Sequence, residues 1–155
     1  RHGRTSVYQH LVCICGMVQR VLVPMDDSEL SERALRYALD VHRDADITVL
    51  HVVGEPSGMM GSATGIALAD DSEERVRELS EDVFERANEI ASEHGAAVAV
   101  ESEVGSPASR IVERAEEFDA VVIGTHSGSL ADRLLVGNVA KSVFKHSPVP
   151  VTVVR

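Results

Sequence analysis

The feature that most constrains the fold is a strict alternation between short runs of β-branched residues and longer segments with helical periodicity. The five short runs are residues 20–25, 46–53, 96–104, 119–124 and 148–155, and four helical segments lie between them. A β-α-β-α-β-α-β-α-β order with apolar central strands predicts a parallel sheet joined by right-handed crossovers. We therefore predict an α/β fold: a doubly wound five-stranded parallel sheet with helices on both faces.

The second helical segment, residues 71–95, has the clearest periodicity in the chain. Gly95 ends the pattern, as glycine often does after the last turn of a helix. Residues 54–70, which precede it, have four glycines and no hydrophobic periodicity. This predicts a long loop, which either serves a function or is merely tolerated by the fold. Apolar residues in the helix recur at spacings of three and four, and we expect its buried face to contain Val76, Leu79, Val83, Ala87, Ile90 and Ala91.

The charge balance bears on the class of partner. The formal net charge is −10, from 25 acidic and 15 basic side chains, and the basic side chains form no cluster. Proteins that bind nucleic acids usually present a basic face, so we expect no DNA or RNA partner. The sequence has no run of about 18 consecutive apolar residues, which argues against a membrane-spanning helix. We also expect no membrane partner.

Residues 1–16 differ from the rest of the chain. They contain both cysteines, Cys13 and Cys15, and no acidic residue, whereas Met17 opens a stretch that reads like a natural start. We expect an extension here: a tag remnant, a start codon assigned too early or a disordered tail. Residues 17–155 then form one domain. Because these residues lack cysteine, no disulfide framework is predicted, and we expect a cytoplasmic location.

In sheets of this kind, ligands bind beyond the carboxyl ends of the strands, at the point where the strand order reverses. The candidate segments are residues 24–26, after the first strand, and residues 124–127, after the fourth. Gly124 lets the backbone turn without a Cβ. Gly137 precedes the last helix, whose free N–H groups and dipole attract an anion. Two interpretations remain open, a phosphate site and an ordinary crossover turn.

The motifs of several enzyme classes are missing. The chain has no G-x-x-x-x-G-K-[ST] phosphate loop, no G-x-G-x-x-G turn after the first strand and no G-x-S-x-G nucleophile elbow. We interpret His126, beside Ser127, as a polar turn residue, and we predict no catalytic residue and no protein-held metal site. Asp26 and Asp27 are candidates either for Mg²⁺ beside a phosphate or for capping the first helix, for which Ser28 is equally suited.

Four blocks of sequence together carry a family resemblance. They are VLVPMDDSELSERALRYAL, ITVLHVV, VGSPASRIVERAEEFDAVVIGTHS and LLVGNVAKSVFKHSPVPVTVVR. In this order, over residues 17–155, the chain resembles the universal stress protein family, the UspA-like domain. The resemblance implies a Rossmann-like sheet of the adenine nucleotide alpha hydrolase-like type. It also implies a homodimer that pairs the last strand, Pro148 to Arg155, at the edge of the sheet.

The resemblance further implies where a nucleotide binds. Family members that bind ATP carry a G-x2-G-x9-G-[ST] signature, which falls here on Gly124, Ser127, Gly137 and Asn138. Ser127 replaces the second glycine, although Gly128 follows it, and Asn138 replaces the hydroxyl residue. Some members lack the signature and do not bind ATP. The pocket implied by the resemblance consists of Pro24, Met25, Asp26, Val52, Ile123, Gly124, Ser127, Gly128, Gly137, Asn138 and Val139.

Three functions from different classes follow. We expect a small stress-response protein that binds ATP or another adenine nucleotide, with Mg²⁺, as a sensor. Binding should be weakened, because a Cβ at position 127 costs about 1–2 kcal/mol if the turn needs a positive φ. ATP hydrolysis should be very slow at most. The alternative is a nucleotide-free dimeric interaction protein of the same fold, and a third reading is an enzyme of the wider adenine-nucleotide group.

Overall fold

The computed structural model describes residues 17–54, 69–125 and 137–155. Within these residues the chain forms the nine elements that the sequence predicts, in the predicted order. They are β1 (Arg20–Pro24), α1 (Glu29–Val41), β2 (Asp46–Val53), α2 (Ala69–Glu93), β3 (Ala99–Val104), α3 (Pro107–Ala115), β4 (Ala120–Gly124), α4 (Asn138–His146) and β5 (Val151–Val154).

The five strands form one parallel sheet in the order β3-β2-β1-β4-β5. The chain moves outward from β1 to β3 in one direction and then returns to add β4 and β5 on the other side of β1. The strand order therefore reverses between β1 and β4, which leaves a crevice at the carboxyl ends of these two strands. The predicted fold class is confirmed, and so is the predicted position of the switch point.

Two apolar cores lie on opposite faces of the sheet. Alternate residues of β1 serve both, because successive side chains of a strand point to opposite faces: Val21 and Val23 pack on one side and Leu22 on the other. The first core contains Leu35 of α1 and residues of α2, while the second contains residues of α3 and α4. Helices therefore cover both faces of the central strands.

The buried face of α2 differs from the predicted one at one position. Leu79 is 49% exposed, whereas Ser80 is fully buried. Leu79 lies at the edge of the apolar stripe of the helix. Ser80 lies nearer the centre of this stripe, on the same face as Val83 and Ala87. The Ser80 hydroxyl donates to the carbonyl of Val76 at 2.7 Å, so this buried polar group is satisfied within its own helix. The sequence-based prediction of Leu79 as a core residue is wrong.

Gly95 ends α2 as predicted, in a conformation that favours glycine. Its φ is +65°, a value that side-chain-bearing residues rarely adopt. The N–H of Ala96 donates to Ala91 O at 2.9 Å and that of Gly95 to Ser92 O at 3.0 Å, which is the pattern of a Schellman cap. Because Ala96 takes part in this cap, β3 begins at Ala99 and not at residue 96.

A two-pronged ion pair joins α1 to α2. Arg86 donates from Nε and from one terminal nitrogen to the two carboxylate oxygens of Glu32, at 3.0 and 2.8 Å. The hydrogen bond from Arg86 lowers the pKa of Glu32 below its ordinary value. Such a fork fixes the relative orientation of the two groups more firmly than a single contact does. It therefore helps to hold the two helices together over the first core.

The amino ends of β1 and β4 are joined by a side chain. Both the Gln19 and Arg20 N–H groups donate to the carboxylate of Asp119, each at 2.9 Å. These backbone hydrogen bonds, first that from Arg20 and then that from Gln19, lower the pKa of Asp119. The contact lies at the amino ends of these strands, and the crevice lies at their carboxyl ends.

Within the described parts of the chain, every helix is too polar or too short to cross a membrane.

The Asp119 contact predicts a specific loss of stability in acid. A lowered pKa in the folded state means that the carboxylate stabilises the fold above its unfolded pKa of about 3.9. This contribution is lost as the pH falls through the folded pKa. The Asp119→Asn variant should unfold more easily at neutral pH than the natural chain. Its free energy of unfolding, measured with urea, should also depend less on pH below about pH 4.

The matched control is Asp44→Asn. Asp44 is exposed and makes no contact with the described residues comparable to that of Asp119. This variant should keep both the stability at neutral pH and the acid dependence of the natural chain. If Asp119→Asn behaved in the same way, the contact between the strand ends would contribute nothing to stability.

Candidate functional site

A pocket of about 370 Å³ lies in the crevice at the carboxyl ends of β1 and β4. The ends of β1, β2 and β4 form its floor, and the first turns of α1, α3 and α4 surround it. Its volume falls within the range of roughly 300–1,000 Å³ that is usual for small-molecule sites. The position matches the rule for ligand sites in open α/β sheets.

The residues implied by the family resemblance come together in this pocket wherever the structure describes them. Ser127 and Gly128 lie outside the described residues, as does His126. The other nine are drawn from four separate segments of the chain, and all of them line the same pocket: Pro24, Met25, Asp26, Val52, Ile123, Gly124, Gly137, Asn138 and Val139.

A hydrogen-bonded turn forms the wall between β1 and α1. Ser28 is the N-cap of α1, and its hydroxyl accepts from the Ser31 N–H at 3.2 Å. One carboxylate oxygen of Asp26 accepts from the Ser28 N–H at 2.9 Å. The Ser31 hydroxyl in turn donates to the Asp26 carbonyl at 3.0 Å. Ser28 therefore caps the helix, and Asp26 holds the turn that leads into it.

Gly124 allows β4 to approach the first turn of α1. A Cβ added to Gly124 would lie 2.4 Å from the carbonyl oxygen of Leu30 and 2.6 Å from its carbonyl carbon. Real Cβ contacts are never this short, and backbone atoms cannot swing aside as a side chain can. The sequence suggested that Gly124 frees a turn. In the structure its φ is not in the left-handed region, so the turn itself does not require a glycine here. The glycine is required because it leaves room for the backbone of α1.

The first turn of α4 lines the pocket and begins at a glycine. Gly137 is the N-cap and has no side chain to accept from the helix, and Asn138 and Val139 follow in the first turn. The N–H groups of a first helical turn have no partner within the helix. Together with the helix dipole they favour a negatively charged group. This end of the pocket is suited to an anion.

Sequence reasoning missed seven residues of the pocket wall. Pro107 and Ile111 come from α3, which no motif connected with the site, and Ala140 follows the predicted residues of α4. Signals for the rest were present in the sequence, since Ser28 and Ser31 follow Asp26 at the start of α1 and Leu50 and His51 immediately precede Val52 in β2. The missed residues are Ser28, Ser31, Leu50, His51, Pro107, Ile111 and Ala140.

The pocket is mainly apolar and contains few charges. Asp26 and His51 are the ionisable residues among the described part of its lining, which includes no Lys or Arg. Nowhere in the described chain do three or more His, Cys, Asp or Glu side chains converge as a metal site would require. Within the described lining, a negatively charged ligand would therefore find backbone N–H groups and the Asn138 amide.

A wider depression follows the outer face of α2 and is a poor candidate site. It is larger, at about 1370 Å³, but it lies open to solvent. Its lining is dominated by glutamates, among them Glu74, Glu78 and Glu85. Repulsion from these carboxylates disfavours an anionic ligand. The crevice between β1 and β4 is therefore the candidate site of this protein.

The strand order and the pocket define a Rossmann-like α/β domain with a ligand crevice at its switch point. The chain belongs to the universal stress protein family, whose sequence profile matches residues 17–155. It is similar to universal stress protein MJ0531 of Methanocaldococcus jannaschii, with 30% identity over 148 residues that cover 90% of this chain and 84% of that protein.

Solved structures show the same similarity. Hypothetical protein MJ0577 has a TM-score of 0.72 and 26% identity, with 90% of this chain and 96% of that chain covered. A universal stress protein in complex with cAMP has a TM-score of 0.60 and 25% identity, with 90% and 99% covered. These structures have the fold described above.

The close contact at Gly124 predicts a loss of stability on substitution. In Gly124→Ala the added methyl group must push the backbone of α1 away from β4. We expect the free energy of unfolding to fall by about 1–3 kcal/mol or more, since this is the usual cost of overpacking a tight interior. Urea unfolding followed by circular dichroism measures this change.

Gly54→Ala provides the matched control. A Cβ added to Gly54 meets no atom of the described residues within 4 Å, and its φ is not in the left-handed region. This variant should be as stable as the natural chain, or up to about 1 kcal/mol more stable because alanine restricts the unfolded chain. Equal stability of the Gly54 and Gly124 variants would contradict the role assigned to Gly124.

Proposed function

We propose that this protein is an adenine-nucleotide-binding module whose ligand occupies the crevice between β1 and β4. The observation that carries the proposal is the pairing of an apolar pocket with the start of α4, whose N-cap is a glycine. A nucleotide has a flat, largely apolar base at one end and an anionic phosphate at the other. The related universal stress protein in complex with cAMP supports this choice of ligand class.

The apolar end of the pocket suits a purine base. Leu50, Val52, Ile111 and Ile123 contribute side chains to its lining, and burial of a ring against such side chains supplies the nonpolar part of the binding energy. The ends of β1 and β2 carry backbone N–H and carbonyl groups next to these side chains. Backbone groups of this kind can hydrogen-bond the edge of a base.

The phosphate end depends on the backbone of α4. Asn138 stands in the position of the family's hydroxyl residue and offers a side-chain amide as a hydrogen-bond donor. With the N–H groups of the first turn, it can hold one phosphate without a basic side chain. ATP places more negative charge in the same space, and Mg²⁺ bound with it would neutralise part of that charge. We therefore propose that ATP binds weakly and with Mg²⁺.

The role that we propose is binding and not catalysis. Several polar groups of the pocket wall already have structural partners: the Asp26 carboxylate accepts from the Ser28 N–H, the Ser31 hydroxyl donates to the Asp26 carbonyl, and His51 bonds to the Met25 carbonyl. Nucleotide occupancy would report a cellular state to a partner, as expected of a sensor. We propose a cytoplasmic location for this role, since residues 17–155 lack cysteine.

The Asn138→Asp variant tests the site. An aspartate in the first turn of α4 should stabilise the helix through the dipole while repelling the phosphate of a ligand. We expect AMP to bind about tenfold more weakly or worse, which corresponds to 1.4 kcal/mol, and adenosine to bind as it does to the natural chain. Isothermal titration calorimetry with both ligands measures this difference.

Asn88→Asp is the control for the change of charge. Asn88 is exposed on α2, so the same substitution there should leave the affinities for AMP and adenosine unaltered. An equal loss of AMP binding in both variants would point to a general electrostatic effect. No binding of AMP, cAMP or ATP by the natural chain would contradict the proposed function.

A second candidate function is that of a dimeric interaction protein, and the two edges of the sheet favour it. β3, at one edge, carries Glu101 and Glu103, and charges of this kind discourage pairing with another strand. β5, at the other edge, has the uncharged sequence VTVV and is half-buried. We propose that two copies pair through β5. Dimerisation is compatible with nucleotide binding.

The backbone of β5 shows which groups would pair. Val121 N–H donates to Pro150 O and Thr125 N–H donates to Val154 O, so the even-numbered residues face β4. The N–H of Val153 therefore points outward, and Val153→Pro should remove it without breaking the β4 pairing. Sedimentation equilibrium should give twice the 16.7 kDa chain mass for the natural protein and a monomer for the variant.

The control is a proline at the opposite edge. Gly105 N–H donates to Val53 O, and by the same alternation Ser102 points its N–H away from β2. Ser102→Pro should therefore remain dimeric. A natural chain that sediments as a monomer at all concentrations, or a variant of Val153 that stays dimeric, would contradict pairing through β5.

A further inference from the structure

His51 is a half-buried polar residue near the carboxyl end of β2, and it is one of the residues that line the candidate site. It occupies the position before Val52 near the carboxyl end of β2. Its Nδ1 lies 2.9 Å from the carbonyl oxygen of Met25. Met25 follows the last residue of β1 and itself lines the pocket. The imidazole thus joins β2 to the segment that directly follows β1.

The partner atom fixes the protonation of the ring at Nδ1. A carbonyl oxygen only accepts hydrogen bonds, so Nδ1 must carry the hydrogen and donate it. In the neutral ring Nε2 then has no hydrogen. Each ring nitrogen of histidine has a distinct role, and the partner of one determines the tautomer of both.

Met25 is held from two directions. Its N–H donates to the Leu50 carbonyl at 2.9 Å, and its carbonyl accepts from His51, the residue after Leu50. Asp26, whose carboxylate organises the start of α1, follows directly in the chain. The Met25–Asp26 peptide is therefore held at its carbonyl by His51 and at its N–H by the Ser31 hydroxyl, which accepts from Asp26 at a longer 3.3 Å. This peptide lies where the pocket meets the capping turn of α1.

We propose that His51 is a positioning residue for the ligand: its Nδ1–H orients the Met25–Asp26 peptide and so preforms the wall against which the base lies. The inference rests on the proposed function. A wall that is already ordered costs less conformational entropy when a ligand binds. Loss of the Nδ1–H donor leaves the Met25 carbonyl without this partner and allows the peptide to rotate.

Three substitutions of His51 distinguish the role of Nδ1 from that of Nε2. Asn places its amide nitrogen near the position of Nδ1, Gln places its amide nitrogen nearer that of Nε2, and Leu removes both. We expect His51→Asn to bind AMP within about twofold of the natural chain and His51→Gln and His51→Leu to bind about three- to tenfold more weakly. Calorimetry measures the affinities, and thermal unfolding confirms that each variant is folded.

Nitrogen-15 NMR of the natural chain at pH 8, without ligand, tests the geometry independently. We expect the neutral Nδ1–H tautomer for His51, and the Nε2–H tautomer would overturn the proposal. Natural-like binding by His51→Leu, or rescue by Gln instead of Asn, would overturn it as well. The expected tautomer in a natural chain that binds no adenine nucleotide would reject the proposed function and, with it, the role of His51 in binding.

Discussion

The candidate site depends on the contact between Gly124 and the backbone of Leu30. Because Gly124 has no Cβ, the end of β4 lies directly against the first turn of α1. This contact brings the two strands at the switch point and the capped start of α1 into one crevice. A side chain at position 124 would separate the floor of the pocket from its wall, so the fold and the site share this constraint.

The chemistry of the pocket follows from what surrounds that contact. Asp26, Ser28 and Ser31 form a network that orders the wall before any ligand arrives. The described lining offers an anion the N–H groups of α4 and no basic side chain. In a chain with a net charge of −10, this favours a ligand that is recognised mainly by shape and backbone hydrogen bonds and that carries little charge.

The sequence predicted the fold well because one physical pattern dominates it. Buried parallel strands must be apolar and crossover helices must be amphipathic, so the order of elements and the switch point could be predicted. Individual contacts could not be predicted in this way. Ser80 can be buried because its hydroxyl donates to a carbonyl within α2, and His51 contacts the carbonyl of Met25, which directly follows β1. Apolar periodicity carries no information about either contact.

The most direct test of the account is an NMR titration of the nitrogen-15-labelled chain with AMP. We predict that the largest amide shifts will occur at the ends of β1 and β4 and in the first turn of α4, at Met25, Asp26, Gly124, Asn138 and Val139. The amides of β3 and of the outer face of α2 should change little. Shifts confined to other surfaces, or no shifts at millimolar AMP, would contradict the claim that the crevice binds an adenine nucleotide.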